Sequence, residues 1–337
     1  MNSQLRQDLV SGDWIVISPN RSKRPEELVK KTKPRKKQAK KSCLFEDLKK
    51  VSPDEPILIY PDVKSDKKTL SKKNWKLAIV ENKYPAFTHK DLCPVSSKTG
   101  PYSVMDAIGH HELVITRDHN KNFPKLSLNE ANLVFKALRK RYLMLLDDKC
   151  IEYVSIFHNW GPVAGASIYH PHYQIIAVPV VPPDVKHSLN GSDQYFKNHK
   201  KCVHCVMLDW EFKPKNRIIF ENEGAVAVTP FFSREPFEIR IFPKRHLPYF
   251  EDTSDADMAF VVEALHFSLK KLAKNLNDPD YNFFIHTAPV KNKVSHQHYH
   301  WHIEIVPKTT IRAGFELGTG VEINIIDPDD AAKILKK

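Results

Sequence analysis

Two stretches of the chain carry histidines at alternate positions. Residues 165–179 read GASIYHPHYQIIAVP, with His170 and His172 on either side of Pro171 and Gln174 two places further on. Residues 298–308 read HYHWHIEIVPK, with His298, His300 and His302. On an extended strand, residues i and i+2 project from one face, so each stretch offers a row of imidazoles. Imidazole is the commonest metal ligand and also a competent attacking group near neutral pH. Both chemistries are therefore open to each row.

The metal reading draws on residues upstream of each row. Cys43, Glu46, His119 and His170 supply one thiolate, one carboxylate and two imidazoles. Cys202, Cys205, His246 and His298 supply two thiolates and two imidazoles. Four such ligands with no spare position suit tetrahedral, structural zinc. Two ordinary buried thiols are the alternative for Cys202 and Cys205. The nucleophile reading centres on His172. Pro171 stiffens the backbone before it, and GPVAGAS (161–167) offers small residues that let a phosphate approach the main chain, with Ser167 as a donor. Gln174 can hydrogen-bond a phosphoryl oxygen but cannot act as an acid or base at pH 7.

Reading back from each row finds an internal repeat. Each half runs Cys-x-x-(Cys or Glu), then a histidine (His119, His246), a polar cap, an amphipathic helix and the histidine row. The helices are marked by Leu133, Phe135, Leu138, Tyr142 and Leu145, and by Phe260, Val261, Leu265, Leu269 and Leu272. His119 to His170 is 51 residues and His246 to His298 is 52. The longer Glu46–His119 gap implies an insertion around residues 52–76. Segments such as YVSIFHNW, QIIAVPV, NFFIHTA and WHIEIVP read as strands. Each half is expected to be an antiparallel sheet packed with one long helix, an α+β unit. The polar stretch KHSLNGSDQYFKNHKK marks the join, which gives halves at 1–190 and 191–337.

Composition bounds the rest. A length of 337 residues accommodates two domains. No apolar run approaches the ~20 residues of a membrane helix, and the polar start MNSQLRQDLVSGDW lacks a signal-peptide pattern, so a soluble, cytoplasmic protein is expected. The five cysteines are too sparse for a disulfide framework and point to metal binding or reduced thiols. Of the +12 net charge, much sits in KKTKPRKKQAKK (Lys30–Lys41), where eight of twelve residues are basic. With no interleaved aromatics, that run reads as a solvated, mobile loop rather than a nucleic-acid patch.

The segment GASIYHPHYQ is similar to the active-site segment of the galactose-1-phosphate uridylyltransferase family, in the histidine-triad superfamily. LRQDLVSGDWIVISPNRSKRP (5–25), NKYPAF (82–87), FHNWGPVAGAS (157–167), EPFEIRIFPKRH (235–246) and, more loosely, AGFELGTG (313–320) also resemble it. The resemblance implies two tandem histidine-triad-like halves, zinc as cofactor, and UDP-hexose and hexose 1-phosphate as substrates. It makes His172 the nucleophile of a double displacement, with Gln174 and Ser167 on the phosphoryl oxygens. Arg21, Arg24, Asn82 and Asn159 match positions around the nucleotide, and Glu316 a position that accepts hydrogen bonds from sugar hydroxyls. A homodimer is compatible with it. Glu46 departs from the pattern, because relatives with a Cys-x-x-Cys carry cysteine there, and Glu322 stands where some members have glutamine. Phosphorolysis or hydrolysis of ADP-sugars or dinucleotides is the alternative activity, and a zinc-containing nucleic-acid-binding protein a remote one.

Overall fold

The structure is a computed structural model that describes residues 2–21, 35, 37–52, 54–61 and 75–337. At the start of the chain, β1 (Gln4–Gln7) and β2 (Trp14–Ile17) form a hairpin. The first half continues with β3 (Leu58–Tyr60), β4 (Leu77–Glu81), a small hairpin of β5 (Ser97–Thr99) and β6 (Tyr102–Val104), and β7 (His110–Thr116). Helix α1 (Leu128–Leu145), β8 (Tyr153–Trp160) and β9 (His172–Val178) complete it. After α2 (Pro183–His199) and α3 (Val203–Glu211), the second half runs β10 (Ile218–Glu221), β11 (Ala225–Val228), β12 (Ile239–Pro243), α4 (Asp255–Asn275), β13 (Tyr281–His286) and β14 (His302–Pro307). Helix α5 (Gly314–Thr319), β15 (Ile323–Asn324) and α6 (Pro328–Lys336) close the chain, and β15 joins β2 in parallel.

Ten strands form one antiparallel sheet in the order β10-β11-β12-β14-β13-β8-β9-β7-β4-β3. The order is its own mirror about the β13–β8 joint. There Asn282 pairs with Asn159 and Phe283 with His158. The expected α+β repeat is thus present, with five strands and one long helix from each half.

Local chemistry explains the two long helices. Ser127 and Glu130 form a reciprocal capping box on α1: Glu130 N–H donates to Ser127 Oγ at 3.3 Å, and Ser127 N–H to Glu130 Oε2 at 2.7 Å. Ser254 Oγ accepts from Asp257 N–H at 3.1 Å on α4. Along α1, Val134, Phe135, Leu138, Tyr142 and Leu145 are buried; along α4, Val261, Val262, Leu265, Leu269 and Leu272 are. These faces join sheet residues of both halves in one core. Truncating Leu138 or Leu265 to alanine costs about 2–5 kcal/mol.

Three expectations change. The join lies in helix α2, not in a loop. Val185 and Leu189 bury one face against Tyr153, Tyr249 and Tyr299, and Gly191 admits the Val10 carbonyl where a Cβ would sit 1.8 Å from its oxygen. The insertion is not confined to residues 52–76: much of it is the 82–109 connection between β4 and β7, against 229–238 between β11 and β12. Cys93 and Cys150 form a disulfide rather than remaining reduced, because the 82–109 connection reaches back to the turn after α1. Among the described residues, no helix is long and apolar enough to cross a membrane.

Candidate active site and metal centres

His172 is the first residue of β9, which lies between β7 and β8. Its Nδ1–H donates to the His170 carbonyl at 2.9 Å. The proton is thereby fixed on Nδ1, and Nε2 carries the lone pair. Burial pushes the ring's pKa below the usual histidine value, so the ring is neutral at pH 7. His158, on β8, donates from Nδ1 to the His172 carbonyl at 2.6 Å, and burial holds it neutral with a pKa of about 3. Phe45 packs edge-on against His172, ring centroids 4.9 Å apart, and against His170 at 5.7 Å.

Gln174 follows on the same strand, half-buried. Its partner, His111 on β7, has no local signature in the sequence. Ala86 N–H donates to His111 Nδ1 at 3.0 Å, so the ring proton is on Nε2 and goes to Gln174 Oε1 at 2.9 Å. The Gln174 amide NH₂ is then oriented as a donor for an anionic oxygen. The Asn82 side-chain amide lies 3.1 Å from the same His111 nitrogen, which places Asn82 beside Gln174.

The small-residue loop before β9 has a built shape. Gly161 and Gly165 have φ of +91° and +88°, and a Cβ on Gly161 would sit 2.1 Å from Asp280. Asp280 Oδ2 accepts from Val163 N–H at 2.7 Å, and Asn282 Nδ2 donates to the Ala164 carbonyl at 2.7 Å and to Asn159 Oδ1 at 2.8 Å. Asn159 therefore sits at the site with its oxygen engaged in holding the loop. Ser167 is exposed and lines a cavity of about 380 Å³ with Arg35, Lys37, Trp160, Gly161 and Tyr169.

Other expected residues fall elsewhere. Arg21 is exposed in a short turn (Pro19–Arg21), and Arg24 lies outside the described residues. Glu316 does not meet the His172 neighbourhood among the described residues; its carboxylate accepts from Ala313 N–H at 3.0 Å and caps α5. Residues 30–34 and 36 of the basic run also lie outside. Arg35 departs from the solvated-loop expectation. Its guanidinium stacks 4.2 Å from the Trp160 ring and pairs with Asp278 at 2.7 Å and Asp280 at 3.0 Å.

Two clusters have the composition of metal centres. In the first half, His170 Nδ1 lies 3.6 Å from Cys43 Sγ and 3.3 Å from His119 Nδ1. Both far ring nitrogens are satisfied by carbonyls: His170 Nε2–H donates to Thr116 at 2.6 Å and His119 Nε2–H to Gln38 at 2.9 Å. Both Nδ1 lone pairs therefore point inward, as in metal-binding histidines whose other N–H is held by a carbonyl. Glu46 Oε1 lies 3.7 and 3.8 Å from these nitrogens, is buried and has no hydrogen-bond partner, while Oε2 accepts from Arg117 at 2.8 Å. That orphaned oxygen aimed at the cluster fits a ligand position.

In the second half, Cys202, Cys205, His246 and His300 converge with donor atoms within 4.8 Å of one another. Cys205 Sγ lies 3.4 Å from His246 Nδ1 and 3.6 Å from His300 Nδ1. Again the outer nitrogens donate to carbonyls, His246 to Gln297 at 2.8 Å and His300 to Pro243 at 3.0 Å. A hydrogen bond from Cys205 drives the Cys202 thiol strongly towards thiolate. This corrects the sequence assignment: His300, not His298, is the fourth member. His298 turns instead towards Asp193, 4.0 Å away. His300 therefore matches His170, His302 matches His172, and Glu304 matches Gln174. His302 repeats the His172 tautomer, its Nδ1–H donating to the His300 carbonyl at 3.1 Å.

Residues 1–182 match the family described as galactose-1-phosphate uridyl transferase, N-terminal domain, and residues 108–337 match a domain family of unknown function, DUF4921. The chain belongs to the galactose-1-phosphate uridylyltransferase family. It is 34% identical to an ADP-glucose phosphorylase of Arabidopsis thaliana over 99% of this chain and 92% of that protein. To a galactose-1-phosphate uridylyltransferase of Thermotoga maritima it is 30% identical over 77% of this chain and 84% of that one. A crystal structure of an Arabidopsis thaliana ADP-glucose phosphorylase with bound ADP-glucose superposes with a TM-score of 0.82, at 32% identity and 99% coverage of both chains. A uridylyltransferase structure gives 0.73 at 26% identity, covering 98% and 97%.

Proposed function

We propose that the chain is a nucleotidyltransferase that works by double displacement through a nucleotidyl-His172. The observation that carries this reading is the tautomer lock: the His170 carbonyl holds the proton on Nδ1 and leaves a buried, neutral Nε2 lone pair. In the first step Nε2 attacks the α-phosphorus of a nucleoside diphosphate sugar. The P–O bond to the sugar 1-phosphate breaks, that group leaves, and the nucleotide stays on the ring. In the second step an acceptor phosphate oxygen attacks the same phosphorus and the P–N bond breaks, restoring His172. One difficult exchange becomes two easier ones. The Gln174 NH₂, aimed by His111, and Ser167 would receive the non-bridging oxygens.

The donor we favour is an ADP-sugar with inorganic phosphate as acceptor, giving ADP and sugar 1-phosphate. Similarity to ADP-glucose phosphorylase over nearly the whole chain supports it. Exchange between UDP-hexose and hexose 1-phosphate is the second reading, supported by similarity to the Thermotoga maritima enzyme. In this reading Asn82 lies on the nucleotide side of the site; Arg21 and Glu316 would act only if other parts of the chain or a second copy bring them to it. Zinc fits both clusters. Bound there by Cys43, Glu46, His119 and His170, and by Cys202, Cys205, His246 and His300, it would serve as a structural ion. The first cluster would keep Phe45 against His172.

Intact-mass measurement after mixing with ADP-glucose or UDP-glucose, without acceptor, tests this. An AMP adduct on wild-type protein that phosphate discharges supports the first reading. A UMP adduct discharged only by hexose 1-phosphate supports the second. No adduct with either overturns the covalent mechanism.

A further inference from the structure

A third histidine cluster lies away from both centres. His89 in the 82–109 connection, His110 at the start of β7 and Asp148 in the turn after α1 place three donor atoms within 4.8 Å of one another. His110 Nε2 is 2.9 Å from Asp148 Oδ2, and His89 Nδ1 is 3.8 Å from the same oxygen. Donors that share an ion at about 2.1 Å each, with angles of 90–110°, stand about 3.0–3.4 Å apart. The two distances to Asp148, 2.9 and 3.8 Å, bracket that range.

The surroundings hold the donors in place. Asp148 Oδ1 accepts from Cys150 N–H at 2.8 Å, which turns Oδ2 towards the histidines. Partial burial works against the Asp148 charge, but hydrogen bonds from His110 and from Cys150 N–H more than offset it and keep the carboxyl ionised. The other nitrogen of His110 faces buried Glu112 at 3.7 Å, and Arg141 anchors that carboxylate through Nε at 2.8 and 3.0 Å. In this structure Nε2–H donates to Asp148, and the carboxylate behind the ring can hold the proton on Nδ1 once an ion takes its place on Nε2. The His89 and His110 rings stack with centroids 4.5 Å apart. His89 is exposed, so the open side of the cluster faces solvent and can keep water as a further ligand.

We propose that His89, His110 and Asp148 form a binding site for a divalent transition cation of the zinc type. Two imidazoles and one carboxylate with water completing the sphere suit such an ion, and suit magnesium or calcium poorly. The site staples the 82–109 connection to the body. The Cys93–Cys150 disulfide ties the same two segments a few residues away, so ion and disulfide act as paired clamps. The clamp borders the active site: the residue after His110 is His111, which donates to Gln174 and lies beside Asn82.

The experiment titrates zinc chloride calorimetrically into wild-type, His89→Gln and Asp148→Asn proteins, each first loaded with zinc and dialysed. His89 is exposed, so its replacement leaves the core intact. Wild type is expected to take up one further equivalent per chain with micromolar affinity, weakened at least about tenfold in each variant, as loss of a ligand demands. Added zinc should also slow proteolysis within residues 89–106 in wild type and not in His89→Gln. Absence of a further equivalent in wild type would overturn the site. So would equal affinity in wild type and His89→Gln, which would place the zinc at other surface histidines.

Discussion

The two halves of this chain share their scaffold to the level of single hydrogen bonds, yet differ where chemistry would occur. In both, a cysteine-bearing segment meets two histidines whose outer nitrogens are held by carbonyls. In both, the histidine two places on donates Nδ1–H to the preceding histidine's carbonyl. The first half then offers a glycine loop and a neutral amide. The second offers Thr287–Trp301, which contains no glycine, and the carboxylate of Glu304. Around His302, a cavity of about 540 Å³ is lined by Glu238, Arg240, His286 and Glu304. Arg240 pairs with Glu238 at 3.0 Å and with Glu304 at 3.3 Å. Burial and the adjacent Glu304 push the Glu238 carboxyl up to about 7, whereas Arg240 and His286 hold Glu304 down despite its burial. A carboxylate beside the imidazole repels a phosphoryl group, and the guanidinium that could attract one is already engaged. The two halves thus share a tautomer-locked histidine and differ in the groups around it, an amide in one and a carboxylate in the other.

The largest contrast should come from the two histidines themselves. His172→Ala should abolish the nucleotide adduct and lower turnover on the order of 10³-fold or more. His302→Gln should keep the adduct and stay within about threefold, because its side chain is outside the mechanism. An adduct that maps to His302 would erase the distinction.

Exchanging the amide for the second half's carboxylate is the next probe. Gln174→Glu should slow adduct formation by about 10²-fold, the typical effect of losing an oxyanion donor. Glu304→Gln should leave it unchanged. Rapid-quench measurement of the adduct decides; equal effects would deny the asymmetry.

The metal clusters should separate stability from chemistry. Cys202→Ser with Cys205→Ser should remove one equivalent of zinc and lower Tm by roughly 5–10 °C, as loss of a few kcal/mol implies. The surviving folded fraction should still form the adduct on His172. Elemental analysis and calorimetry check this, and unchanged metal content would sink the second centre.

Acid should affect the site through its buried neutral rings. His158 has a folded pKa of about 3 against an ordinary 6.5. Below 6.5 the unfolded chain takes up the proton first, so this stabilisation is complete above 6.5 and is lost as pH falls towards 3. Urea midpoints should therefore decline through that window. Because burial also depresses the His172 value, the acid decline in adduct formation should be centred below 6.5. A drop centred on 6.5 would show an exposed, ordinary imidazole.

The smallest effect belongs to the basic run. Lys40 and Lys41 changed to glutamine should leave turnover within about threefold at physiological salt, where exposed charges are screened beyond ~8 Å. Steady-state kinetics at two ionic strengths measure it.

Local pattern alone carried much of this. The alternation of His170, His172 and Gln174, the capped apolar faces of α1 and α4, and the order of Cys43, Glu46, His119 and His170 were all legible, because strand period, helix period and capping are short-range physics. Where local options were equivalent, long-range strand pairing selected among them. His298, His300 and His302 all satisfy a period of two, and the nearly equal spacings of 51 and 52 favoured His298. The pairing of β14 with β12 and β13 instead sets the register and brings His300 to the thiols. Cys93 meeting Cys150, His111 meeting Gln174, and Arg35 leaving the solvated run to stack on Trp160 are long-range contacts with no local signature. Each depends on where a connection lands once the ten strands have paired, which no window of sequence encodes.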